Sequence, residues 1–226
     1  MIIKDLKNLQ DWISTRKPDL SYDASRHKLR ISGQGKAMGD VWLPFTHTFD
    51  PETNRITKAE KNWIIFMVRA GTAAVGYFQE GSNQEHKVIR AYMVRKKQGK
   101  SQIKYLKTKG KSRAGSRVRL GASEKFFEEI NEKISDYLNK YPVDFIAYSC
   151  AKTLWPFLFT SEGQLHKGDP RLYKIPVHIQ EPGYEKLLEI NELVQSAILK
   201  TENPNTAYFS EILPKQEPED EAEDNW

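Results

Sequence analysis

The chain has 226 residues, of which 38% are hydrophobic and 29% charged, and its formal net charge is +5. That length and apolar content suit a cored domain with room for an appended region. The single cysteine, Cys150, excludes a disulfide framework and any cysteine-rich zinc site, and no apolar run approaches the roughly 18 residues of a membrane-spanning helix.

The opening IIKDLKNLQDWIS sets Ile3, Leu6, Leu9 and Trp12 or Ile13 at helical spacing and predicts a short amphipathic helix. It lacks the apolar stretch of a secretory leader, so a cytoplasmic protein is expected. From 17 to 58 turn residues are frequent, WLPFTHTFDPETNRIT reads as loop or short strand, and residues 1–58 are read as an N-terminal extension. NWIIFMVR, AAVGYF and HKVIRAYMVR, separated by turn signals, then predict three strands of an antiparallel meander. A basic run, 95–119, follows the third strand.

Beyond it, GASEKFFEEINEKISDYLNKYP places Phe127, Ile130, Ile134 and Leu138 on one helical face, with Pro142 past its end. VDFIAYSC reads as a buried strand, AKTLWPFLF as a short helix or turn, and RLYKIPV as a short strand. EPGYEKLLEINELVQSAILK is predicted helical throughout, with Tyr184, Leu187 or Leu188, Asn191, Val194 and Ile198 in register. Three strands followed by alternating helix and strand make an α/β (α+β) domain over 59–202, a mixed sheet flanked by helices. The remainder, 203–226, carries six carboxylates in its last ten residues, has too little apolar content to fold and is expected to be disordered. No internal repeat is visible.

The basic character is local. Residues 95–119, RKKQGKSQIKYLKTKGKSRAGSRVR, hold eleven of the 35 lysines and arginines and no carboxylate, leaving −6 for the rest of the chain. Such a run alone reads equally as a solvated arm or a nucleic-acid contact. Its position between a strand and a long helix favours contact, as do Gly99, Gly110, Gly115 and Gly121, which let backbone approach a phosphate. Arg113, Arg117 and Arg119 suit bidentate phosphate contacts, while Arg95, Lys96, Lys97, Lys104, Lys107, Lys109 and Lys111 supply positive field. Within the run lies Gly99-Lys100-Ser101-Gln102. A glutamine amide has no useful pKa and cannot act as a general base. It can hold a water, and its N–H groups can donate to a developing oxyanion, which suffices for an activated substrate such as the ester joining peptide to tRNA. Taken alone, it reads as a solvent-facing side chain.

Three stretches change that weighting: AYMVRKKQGKSQ, KSRAGSRVR and DPRLYKIPVHIQEPGYEKLLEINELV. Together they resemble the Vms-like release factor family, a branch of the eukaryotic and archaeal class I peptide-chain release factor superfamily. That family has a basic loop with a G-x-x-Q or GGQ-like element, an A-G-S/A segment with arginines entering a helix, a D-x-R-x-x-x-I-P strand and a final amphipathic helix. The matching residues are Gly99 to Gln102, Ala114-Gly115-Ser116 with Arg117 and Arg119, Asp169 with Arg171, and Ile175-Pro176. The resemblance implies an RNase H-like mixed-sheet fold and cleavage of peptidyl-tRNA on stalled large ribosomal subunits, with Gln102 catalytic and Gly99, Lys100 and Ser101 supporting it. It implies the large subunit and peptidyl-tRNA as partners, and a monomer away from the ribosome. No cofactor, metal or membrane is expected. Gly-Lys-Ser-Gln in place of Gly-Gly-Gln departs from ordinary termination factors. The family's zinc finger, ankyrin repeats and segregase-binding helix have no counterpart.

Two rival functions stay open from sequence: cleavage of the tRNA strand near its 3′ CCA end, and a non-catalytic RNA- or ribosome-binding module. His27, His47, His86, His166 and His178 show no metal-ligand spacing, and none pairs with Cys150. The predicted strands offer only Asp144 toward a two-metal nuclease, and neither Ser149 nor Ser161 has a base nearby in sequence.

Overall fold

The computed structural model of the chain describes residues 1–3, 5–69, 71–91, 112–159, 164–201 and 203–213, with the backbone alone described over 112–123 and 203–204. The chain divides into two compact units, Met1–Lys58 with Ser196 onward, and Ala59–Gln195.

In the first unit, strand β1 (Ile2–Ile3) precedes helix α1 (Leu6–Arg16), so Ile3 is a strand residue and not the start of the helix. Asp5 ends the extended segment and accepts the Lys7 amide at 2.8 Å, the N-cap that lets α1 begin. The span read as an extension with loop or short strand forms strands β2 (Asp19–Asp23), β3 (Lys28–Gly33), β4 (Lys36–Trp42), β5 (His47–Asp50) and β6 (Arg55–Lys58). The β3–β4 connection turns on Gln34 and Gly35, both at positive φ, as a tight hairpin requires. Strand β12 (Ala197–Thr201) pairs antiparallel with β4 and β1, giving the order β1-β12-β4-β3-β2. Ile198 is therefore a strand residue, which corrects the expectation of one helix through residue 200. Leu9, Trp12 and Ile13 share a core with Leu29, Ile31, Val41, Leu199 and Phe209. The Phe209 ring lies so near Gly39 that a Cβ there would meet it at 3.0 Å.

The second unit is the expected mixed sheet. Strands β7 (Asn62–Arg69), β8 (Thr72–Gln79) and β9 (Ser82–Arg90) form the meander. Strand β10 (Phe145–Cys150) lies parallel to β7, and β11 (Leu172–Lys174) parallel to β10, in the order β11-β10-β7-β8-β9. Central β7 is buried from Trp63 to Val68, which explains its unbroken apolar run. One face of the sheet is covered by helix α2 (Ser112–Lys140): Phe126, Phe127, Ile130, Ile134 and Tyr137 pack with Ile64, Phe66, Val75 and Ile146. A short helix α3 (Trp155–Leu158) follows β10, and Phe157 stacks on Phe127 at 4.9 Å. The other face carries helix α4 (Tyr184–Val194), whose Leu187, Ile190, Asn191 and Val194 are buried. Asn191 holds its place in that apolar stripe because it accepts from the Trp63 indole at 3.0 Å and donates to the Gly81 carbonyl at 2.8 Å. Among the described residues no helix is long and apolar enough to cross a membrane.

Candidate functional site

Strand pairing sets the C-terminal ends of β7, β9, β10 and β11 together at one end of the second unit's sheet. Arg69, Thr72 and Arg90 lie there in one cross-strand row, and the Ala91 amide donates to the Gly71 carbonyl at 2.9 Å. The basic segment departs from this end. Its residues Arg95, Lys96, Lys97, Gly99, Lys100, Ser101, Gln102, Lys104, Lys107, Lys109 and Lys111 all fall in 92–111, outside the described residues. Gln102 stands almost midway in sequence between Ala91 and Ser112.

Arg113, Arg117 and Arg119 are placed differently from the sequence reading, which ran the loop to 119. The helix starts at Ser112, so their backbone is already helical. No proline interrupts 112–140, and Gly115 and Gly121 each cost only about 1 kcal/mol against alanine. A helix anchored by packing from Phe126 onward propagates through such costs, one hydrogen bond per added residue.

The helix also outreaches the sheet. Lys87 Nζ sits 2.6 Å from Glu129, and Lys133 Nζ sits 3.3 Å from Glu85, so strand β9 and helix α2 run side by side in opposite directions. From Lys87 the strand advances about 10 Å to Arg90, a distance the helix covers in about seven residues, near position 122. The helical residues before that extend about 15 Å beyond the end of the sheet. The candidate loop thus joins the sheet's end to the tip of a projecting helix.

Several cations of this unit are paired: Lys61 with Asp144 at 2.8 Å, Lys87 with Glu129, Lys133 and Lys140 with Glu85, and Lys186 with Glu189. Arg171 grips Asp169 through Nε at 3.0 Å and Nη2 at 2.7 Å. Those hydrogen bonds hold the Asp169 carboxyl below its ordinary range. Among the described residues, Arg69, Arg90, Lys152 and Lys174, at or just past the strand ends near the loop, have no carboxylate within ion-pair distance.

The remaining candidates have structural occupations. Asp144 accepts the Asn62 amide at 2.9 Å as well as the Lys61 ammonium, so it fixes the start of β10. Burial pushes the Cys150 thiol up to about 11, far from a poised nucleophile. His27 lies between the Tyr22 hydroxyl at 2.7 Å and the Pro44 carbonyl at 3.0 Å, while His86 stacks on Tyr184. Ser161 lies outside the described residues. Among the described residues no group of histidine, cysteine or carboxylate side chains could hold a metal ion.

Residues 63–202, more than half of the chain, match the family described as Bacteroidetes VLRF1 release factor. The solved structure titled "Vms1 mitochondrial localization core" aligns over 90% of this chain and 85% of its own, with 14% identity and a TM-score of 0.41. No curated protein matches the sequence.

Proposed function

The chain belongs to the Bacteroidetes VLRF1 release factor family, and from that premise we propose that it is a cytoplasmic peptidyl-tRNA hydrolase that frees nascent chains from stalled large ribosomal subunits. The observation that supports this most is the placement of the basic Gly-Lys-Ser-Gln segment between a strand end and a helix tip that extends past the sheet. With eleven residues from Ala91 to Gln102, chain geometry lets the glutamine reach at most about 40 Å from the sheet. Such reach suits entry into a narrow, RNA-lined centre. In this reading the second unit, Ala59–Gln195, forms the catalytic domain, and the protein is a monomer away from the ribosome.

The loop cations and Arg113, Arg117 and Arg119 neutralise RNA phosphates and set the register of the loop. Gln102 then holds a water against the ester carbonyl carbon and donates a hydrogen bond to the oxygen as it becomes an oxyanion. The water oxygen bonds to the carbonyl carbon, the ester bond to the tRNA 3′ oxygen breaks, that oxygen takes up one proton of the water, the second passes to solvent, and the peptide leaves as a carboxylate. The substrate is an activated ester, so positioning supplies most of the rate.

The test is to incubate purified protein with large subunits carrying peptidyl-tRNA labelled in both parts and to size both products. Free peptide together with full-length tRNA supports hydrolysis. A shortened tRNA without peptide, together with peptide still esterified to a short 3′ oligonucleotide, would replace it with strand cleavage, and unchanged peptidyl-tRNA would leave a binding module.

A further inference from the structure

The arginines at the loop's root have no counterpart in the family motifs. Arg69, Thr72 and Arg90 sit on neighbouring strands in direct register. Ile89 belongs to the core beneath α2, so Arg90 points to the opposite face, where it lines a cleft with Val88 and Tyr184. Two strand spacings separate the arginine Cα atoms by about 10 Å. Arg69 Nε donates to the Ile179 carbonyl at 2.7 Å and Nη2 meets the His178 ring, which leaves Nη1 without a partner among the described residues. Arg90 is exposed, and its side chain makes no hydrogen bond or ion pair among the described residues. A guanidinium braced by a carbonyl instead of a carboxylate keeps its full charge for an external anion. Glu181, Glu185 and Glu189 line the same cleft beside Lys186 and repel an anion from it, which favours the arginine row at the strand ends.

We propose that Arg69, Thr72 and Arg90 form a shelf that binds the phosphodiester backbone of RNA at the root of the loop, independently of the loop's own lysines. Arg90 takes one phosphate through its free fork, Arg69 Nη1 and the Thr72 hydroxyl take its neighbour, and the strand is led toward the projecting helix. The proposal rests on the ribosomal reading only for the choice of RNA as ligand.

Its test is the affinity of the full-length protein for a short single-stranded uridine oligonucleotide as salt rises from about 50 to about 200 mM. Arg90→Ala and Arg69→Ala should each lower the slope of log K against log salt by about 0.7, weakening binding about fivefold per contact at about 0.1 M salt. The melting temperature of Arg90→Ala should equal the wild type's, because that side chain supports nothing in the fold. A quadruple variant with Lys104, Lys107, Lys109 and Lys111 changed to Ala reports on the loop separately. Wild-type affinity and slope for Arg90→Ala overturn the shelf, whatever the loop variant does. Weakening by Arg90→Ala with none in the loop variant keeps the shelf and removes the loop as the RNA contact. A wild-type protein that binds no oligonucleotide at the lowest salt overturns both.

Discussion

Glu85 accepts hydrogen bonds from Lys140, from the Tyr141 hydroxyl at 2.6 Å and from Lys133, joining strand β9 to helix α2. The Lys140 bond first, then Tyr141, draws its carboxyl down from 4.5 to about 2. A carboxyl depressed in the folded state stabilises fully above its unfolded pKa, and that contribution disappears as pH falls through the folded value. Glu85→Gln should therefore melt below wild type at pH 7, and the gap should close as pH falls from about 4.5 toward about 2. A gap that stays constant over that range in thermal denaturation would mean that Glu85 does not carry the linkage. Cys150 is shifted the other way, by burial. At pH 8 its alkylation by iodoacetamide should be at least about tenfold slower than that of a small free thiol, since only the thiolate reacts. Labelling at the free-thiol rate would place the sulfur in water.

At the scale of elements, β11 depends on a clasp that the family motif contains. Arg171 holds Asp169, which is nearly buried, and the Arg171 carbonyl accepts the Ile146 amide at 2.7 Å, setting β11 against β10. Arg171→Ala should cost about 2–3 kcal/mol in denaturant unfolding, because the uncompensated carboxylate remains in place. A loss under about 0.5 kcal/mol would make the clasp a surface pair. The meander and both faces of its sheet were legible because β7 is apolar throughout and α2 repeats its apolar residues at helical spacing. Strands β3 and β4 were not. Their buried Leu29, Ile31 and Val41 alternate with Arg30 and Asp40, and one partner of β4 lies far away in sequence, in β12. Ile198 falls at a position that continues the stripe of α4, so periodicity favoured a longer helix, and pairing with β4 and β1 overrode it. At the candidate site, composition pointed to the loop cations, and Gln102 stands out only through the family resemblance. Arg69 ends an apolar strand as its single charge, Arg90 ends a strand that also carries Glu85 and Lys87, and only the register of three strands brings them into one row.

On the scale of the whole molecule, the first unit is built from both ends of the chain, and its sheet closes only when β12 inserts between β1 and β4. Ending the chain at Gln195 removes β12, Leu199, Phe209 and Ile212 from that core. Amides of residues 28–42 should then exchange at nearly unfolded rates, while those of 63–90 and 126–150, in the other unit, keep their protection. Retained protection over 28–42 would show a sheet that stands without its last strand. The second unit carries the loop on which the functional account depends, and that account separates grip from chemistry. In the proposed function the cations hold RNA, and one neutral amide acts on the ester. The most direct measurement is the rate of peptide release from large subunits carrying labelled peptidyl-tRNA, at saturating protein, for wild type and Gln102→Ala. The account predicts unchanged binding and release slower by about a hundredfold or more, the scale of losing one donor to an oxyanion. Release by Gln102→Ala at the wild-type rate would contradict it.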